Sequence, residues 1–161
     1  MTKRATIPAR VMILLGSKSD LPVIEGLLAL LDRFGVPHRV EIASAHRQPD
    51  KLRRLVAAGD RDGIAIYVAV AGMAAHLPGV VASLTPRPVI GVPVAAGPLA
   101  GVDALLSMAQ MPAGVPVATV AIGPAGAKNA AVLAARILAL GDARVAAALD
   151  DFRREQARGG G

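Results

Sequence analysis

The side chains in this 161-residue chain that could do chemistry fall into three short segments. The first to consider is Ser44-Ala45-His46-Arg47-Gln48, which sets an imidazole beside a permanent cation. Histidine titrates near neutral pH, so His46 can both give and take a proton within one cycle. Arg47 can grip a phosphate through two parallel hydrogen bonds. Taken alone, a loop histidine is as readily structural or merely exposed, and its place in the fold has to decide. A second segment, Gly16-Ser17-Lys18-Ser19-Asp20, offers Ser17 and Ser19 as donors to a phosphate and Asp20 as an acceptor for ribose hydroxyls. Ser and Asp are also ordinary helix-capping residues, so capping is the alternative reading. The third, Ala71-Gly72-Met73-Ala74-Ala75-His76-Leu77-Pro78-Gly79, is a run of small residues in which Gly72 would let backbone approach a ligand closely. His76 there suits substrate contact, capping or packing. His38 reads as structural, and Lys128-Asn129 as the capped start of a helix.

Those segments need elements to hold them. Val11 to Leu15 is an apolar run, after which Ile24, Leu27, Leu28, Leu31 and Phe34 recur at helical spacing until Gly35 stops them. Strand, loop and helix follow, with the Gly16 to Asp20 segment at the helix N-terminus, where an anion is favoured. Val40 and Ile42 alternate with Arg39 and Glu41 as a second strand, and Pro49 opens a helix whose apolar face is Leu52, Leu55 and Val56. Further strands are predicted at Ile64 to Val70, Val89 to Val94 and Val117 to Ile122, each followed by a glycine-bearing loop and helical residues. Five such units imply an α/β fold of three layers, α/β/α, with a flavodoxin-like parallel five-stranded sheet in the order 2-1-3-4-5. In that order the loops at 16–20, 44–48 and 71–76 meet at the topological switch point, where open α/β sheets bind ligands.

Length supports one domain, with a core over about 11–140 and an extra C-terminal helix over about 142–158. Gly159 to Gly161 are expected to be disordered. Apolar residues at 53% exclude disorder of the whole, and no apolar run approaches the roughly 20 residues of a membrane span. The basic start lacks the apolar stretch of a signal peptide, so a cytoplasmic location is expected. With no cysteine there is no thiolate nucleophile, and the three histidines lack metal-ligand spacing, so no metal is expected. The net charge of +6 is spread along the chain, half of it from Lys3, Arg4 and Arg10. Arg47, Lys51, Arg53 and Arg54 form the one local cluster, with no aromatic platform beside it, which argues against nucleic acid and for a single phosphate. From Gly63 through Ala127 only Arg87 and Asp103 carry charge, more uncharged chain than a small domain hides, so a homo-oligomer is expected. Val145, Leu149 and Phe152, at helical spacing, suit a terminal helix docked on a neighbouring subunit.

Taken together, Gly-Ser-Lys-Ser-Asp at 16–20, Ser-Ala-His-Arg at 44–47 and Ala-Ala-His-Leu-Pro-Gly at 74–79 resemble the class I N5-carboxyaminoimidazole ribonucleotide mutases. Gly-Val-Pro-Val at 91–94, Gly-Val-Asp at 101–103, Gln-Met-Pro at 110–112 and Ala-Lys-Asn-Ala-Ala at 127–131 extend the likeness over roughly residues 11–140. The resemblance implies an octamer that converts N5-carboxyaminoimidazole ribonucleotide into 4-carboxy-5-aminoimidazole ribonucleotide without metal or nucleotide cofactor. It also implies that Ser17, Asp20 and Arg47 bind this small-molecule substrate, with Ser19 and Ser44 supporting, and that His46 shuttles the proton. Met73 stands where the family commonly has Gly, Gln48 where it has Thr, Gly97-Pro98 where Ser and Ala are typical, and Pro124 where Lys is common. A long side chain at 73 is expected to narrow the pocket or alter its mouth. Two rivals remain at this point: a class II carboxylase using carbon dioxide directly, against which His76-Leu77-Pro78-Gly79 argues, and a non-catalytic flavodoxin-like nucleotide-binding module.

Overall fold

The computed structural model describes residues 8–159, so Lys3, Arg4, Gly160 and Gly161 lie outside the described residues. Five parallel strands form one sheet in the order β2-β1-β3-β4-β5, the order predicted: β1 (Val11–Leu15), β2 (His38–Ile42), β3 (Ile66–Gly72), β4 (Val89–Val94) and β5 (Ala118–Thr119). Among the described residues six α-helices connect and cover it: α1 (Glu25–Arg33), α2 (Pro49–Asp62), α3 (Leu77–Leu84), α4 (Val102–Ala109), α5 (Pro124–Ala139) and α6 (Ala143–Ala157). Alternation along β1 assigns the layers. Val11, Ile13 and Leu15 join α1, α5 and α6 in one core, while Met12 and Leu14 face α2, α3 and α4 in the other. Every residue of β1 is buried, as a central parallel strand covered on both faces requires.

Two strands differ in extent from the sequence reading, β3 running Ile66–Gly72 rather than Ile64 to Val70 and β5 Ala118–Thr119 rather than Val117 to Ile122. The third strand starts at Ile66 rather than Ile64, because Gly63 caps α2 in the left-handed conformation and the Ile64 N–H donates to the Gly59 carbonyl, closing the helix end. The fifth is cut to Ala118–Thr119 although the chain runs on beside β4, where the N–H groups of Val120 and Gly123 donate to Gly91 and Pro93. Gly91 and Pro93 point their polar groups to the same side, and Pro93 has no N–H to return, so the ladder lapses there.

The terminal helix corrects a third expectation. Val145 and Leu149 are buried in this chain's own core, against α5, rather than held out for a neighbour. Phe152 meets Phe34 edge to face at 5.4 Å, the Arg33 guanidinium lies 5.1 Å from the Phe152 ring centre, and Arg33 donates to Glu155 at 2.6 Å. The apolar stripe of α6 thus completes the layer formed by α1 and α5. Gly159, expected in a disordered tail, closes the last turn with its N–H on Gln156 at a φ of +82°.

Candidate active site

The C-terminal ends of β1, β2 and β3 lie side by side, Leu15 opposite both Ile42 and Val70, and the loops beyond them enclose a cavity of about 460 Å3. Ser17, Ser19, Asp20, Ser44, His46 and Arg47 line it from the first two loops, and Gly72 and His76 from the third. All eight residues singled out from the sequence therefore face one space.

The first loop does not end in a bare helix N-terminus. A 3-10 turn over Lys18–Ile24, containing Pro22, precedes α1, since a proline limits the conformations of its predecessor and short 3-10 turns are common at helix starts. Its backbone donors are mostly engaged. The Gly16 N–H donates to Val70, the Ser17 N–H to the Asp20 carboxylate at 3.1 Å, the Ser19 N–H to the Ser17 hydroxyl at 3.3 Å and the Asp20 N–H to the Ser17 carbonyl. Ser17 and Asp20 form a reciprocal capping box, so the capping reading was correct, and the same side chains line the cavity. Here an anion would meet hydroxyl groups and Arg47 rather than free backbone N–H groups. Burial is the main influence on Asp20 and pushes its carboxyl above the usual value, opposed by the Ser17 N–H and the Ser19 hydroxyl. Ionising Asp20 therefore costs folding free energy, a cost that sets in as pH rises through the acid range.

The second loop is set by Ser44, whose hydroxyl accepts the Arg47 N–H at 3.2 Å, and by Lys51, whose ammonium reaches back to the Ile42 carbonyl at 2.7 Å. Arg47 is exposed, and among the described residues its guanidinium makes one hydrogen bond, to the Gly16 carbonyl at 3.5 Å, leaving most of its donors for a ligand. Gln48 precedes Pro49 at the start of α2 without capping it.

The third loop supplies the contact that sequence reasoning missed. His46 Nε2 lies 2.7 Å from His76 Nδ1, with the rings edge to face and their centres 4.9 Å apart. One ring must donate to the other, so the pair holds a proton between two groups able to carry it. The two residues are 30 apart in sequence and belong to different loops, and nothing local to either predicts the meeting. His76 stands at the start of α3 but its side chain makes no capping bond, which removes the capping alternative. Gly72 has a packing reason as well as a place in the lining: a side chain there would begin 2.8 Å from the Ala96 side chain and 3.2 Å from the Val94 carbonyl. His38, as expected, is structural, its Nδ1 3.0 Å from the Val36 carbonyl. Lys128 and Asn129 fall inside α5, away from the cavity, and α5 is preceded by Gly123 with no side-chain cap.

Among the described residues no helix is long and apolar enough to cross a membrane. The AIR carboxylase family profile matches residues 10–159. The chain is 50% identical to the N5-carboxyaminoimidazole ribonucleotide mutase of Escherichia coli (strain K12) over 92% of its own length and 88% of that protein's. It is 48% identical to the mutase of the same name from Haemophilus influenzae, over 92% and 90%. Among solved structures it superposes on Treponema denticola PurE with a TM-score of 0.84 at 31% identity, covering 92% of this chain and 91% of the other. A cavity at the switch point, lined by the residues whose order first suggested the resemblance, and relatives matched along almost their whole length agree: this chain belongs to the AIR carboxylase family.

Proposed function

We propose that the protein is an N5-carboxyaminoimidazole ribonucleotide mutase of purine biosynthesis, acting in the cytoplasm. The observation that carries this reading is the single cavity in which an exposed arginine, a hydroxyl cluster and a directly bonded histidine pair converge, in a chain half identical to mutases along nearly their whole length. Arg47 and the hydroxyls of Ser17 and Ser19 take the phosphate, with Ser44 holding Arg47 in place. Asp20 accepts from ribose hydroxyls. Gly72 lets the ring approach backbone, and His76 orients His46 and touches substrate.

In the first half of the reaction the N–C bond to the carboxylate breaks, its electron pair stays on the exocyclic nitrogen, and that nitrogen takes a proton from His46 as carbon dioxide leaves. In the second half, ring carbon 4 attacks the carbon dioxide, and the proton displaced from that carbon returns to His46. One proton is lent and recovered, so no net acid or base is needed. Supplying purified protein with N5-carboxyaminoimidazole ribonucleotide and, separately, with aminoimidazole ribonucleotide, each with and without bicarbonate, tests the assignment. Turnover of the first without bicarbonate is the expected result. Turnover of aminoimidazole ribonucleotide with bicarbonate, and of nothing else, would make it a class II carboxylase.

Arg47→Ala is expected to raise KM by about tenfold or more, the worth of a charge-assisted hydrogen bond, while kcat changes little, because a phosphate contact acts alike in ground and transition states. An unchanged KM counts against the phosphate role.

Assembly belongs to the same reading. Leu99, Val102 and Leu106 are 60%, 52% and 54% exposed and gather at the start of α4, while Asp103 between them keeps a buried oxygen with no partner among the described residues. Self-association to an octamer would cover this surface. Light scattering at micromolar concentration is expected to give a particle several times 16.3 kDa. A stable, active monomer refutes the assembly and leaves His46 untouched.

A further inference from the structure

The cavity has two unlike walls. Its hydroxyl, carboxylate and guanidinium groups stand on the loops after β1 and β2, while the side formed by the β3 and β4 loops presents, beside His76, the apolar Ala71, Ala74, Leu77, Ala96 and Met73. Met73 is the longest of these apolar side chains and is 56% exposed. It holds a φ of +56°, one of two non-glycine residues with positive φ among the described residues, and such conformations persist only where the surroundings impose them. Opposite it lies Gly97 on the β4–α4 loop. A Cβ built on Gly97 would sit 3.7 Å from Met73 Cγ and 3.9 Å from Cε, so the methionine borders the space that the missing side chain of Gly97 leaves on the β4–α4 loop. The thioether chain therefore extends from its own loop toward the β4–α4 loop at the edge of the cavity, and methionine is well able to fill such an irregular gap.

We propose that Met73 roofs the apolar wall and retains carbon dioxide beside the ring between the two halves of the reaction. The proposal rests on the mutase reading above. Carbon dioxide is neutral and finds no strong partner among apolar groups, so only enclosure keeps it from leaving before carbon 4 attacks. The substrate's charged parts belong to the opposite wall, where Arg47 and the hydroxyls are. Met73 acts here as a positioning residue: it exchanges no proton and forms no bond.

Label exchange tests this. Unlabelled N5-carboxyaminoimidazole ribonucleotide is turned over in buffer saturated with 13C-bicarbonate, and the fraction of product carboxylate carrying 13C is measured. Met73→Gly is expected to raise that fraction about fivefold, as a modest change in the balance between escape and recapture would. Met73→Leu, which keeps the bulk, is expected to stay within about twofold of wild type, and KM to stay within about twofold in both variants. Glycine accepts the left-handed backbone freely, so Met73→Gly is expected to melt no lower than wild type, and misfolding does not account for the leak. An active Met73→Gly enzyme with the wild-type label fraction overturns the proposal. A wild-type enzyme that makes no product from this substrate, or whose product is fully labelled, overturns the mutase reading itself and is told apart by that control.

Discussion

His46→Asn is expected to retain its fold and lose at least about a hundredfold in turnover, the usual worth of a positioned proton-transfer group. The side chain belongs to neither hydrophobic core, and its one hydrogen bond among the described residues is with His76, so its removal leaves the sheet and helices as they are. Asparagine keeps a hydrogen-bonding group near the same place but cannot take up or release a proton near neutral pH. Both half-reactions fail together, since the proton delivered to the exocyclic nitrogen and the one taken from carbon 4 pass through the same ring. With binding assigned by the proposal to Arg47 and the first loop, KM is expected to move far less than kcat. Steady-state kinetics beside a thermal melt check this. Near-normal turnover in a folded variant would remove His46 from the mechanism and shift attention to His76, the other ring of the pair.

What made the site legible was periodicity. The runs ending at Leu15, Ile42 and Val70 could be read as strands of a parallel sheet, and strand order alone then placed three distant loops around one crevice. Burial on both faces leaves a strong mark in sequence, which is why β1 and β4 ended where predicted. Apart from the start of β3, which local capping by Gly63 sets, the failures share a cause: each depended on what a residue meets across space. Ladder loss at β5 follows from Pro93 in the adjacent strand, and the histidine pair joins two loops. For α6, the apolar stripe was read correctly, but sequence cannot say whether a stripe faces its own chain or another. In the first loop, capping and ligand binding looked like rivals, yet Ser17 and Asp20 cap with some of their lone pairs and still face the cavity. Met73 is the clearest case of a position that sequence marks as odd and only geometry explains, because its positive φ and its nearness to Gly97 are invisible in the letters.

A larger effect on the fold itself is expected from Gly126→Ala, a change of one methyl. Gly126 lies in the first turn of α5, and a Cβ there would fall on the carbonyl oxygen of Ala121. The obstacle is backbone, so no rotamer relieves it. The chain returns sharply at this point because Gly123 adopts φ +78°, ψ −154°, a region essentially confined to glycine, with its N–H on the Pro93 carbonyl and its own carbonyl accepting the Ala127 N–H. Moving Ala121 away would strain the run beside β4; moving α5 away would open the layer in which Ala127, Ala130, Ala131 and Ala134 are fully buried. Destabilisation of about 3 kcal/mol or more is expected, at the top of the range for overpacking and a large fraction of a typical domain's stability. Gly141→Ala is the matched control, since nothing lies within 4 Å of its added methyl and its backbone is not left-handed, so it should stay within about 0.5 kcal/mol. Urea denaturation of the two variants measures the difference, and equal midpoints would refute the steric argument. The damage is also expected to reach the site. α5 packs against the 3-10 turn that carries Ser19 and Asp20, and the Lys128 stem lies across Gly26 of α1, so a displaced α5 would loosen the loop proposed to receive the phosphate. In the surviving folded fraction, KM should therefore rise more than kcat falls, because Arg47, His46 and His76 stand on the loops leading into α2 and α3, which pack on the opposite face of the sheet from α5.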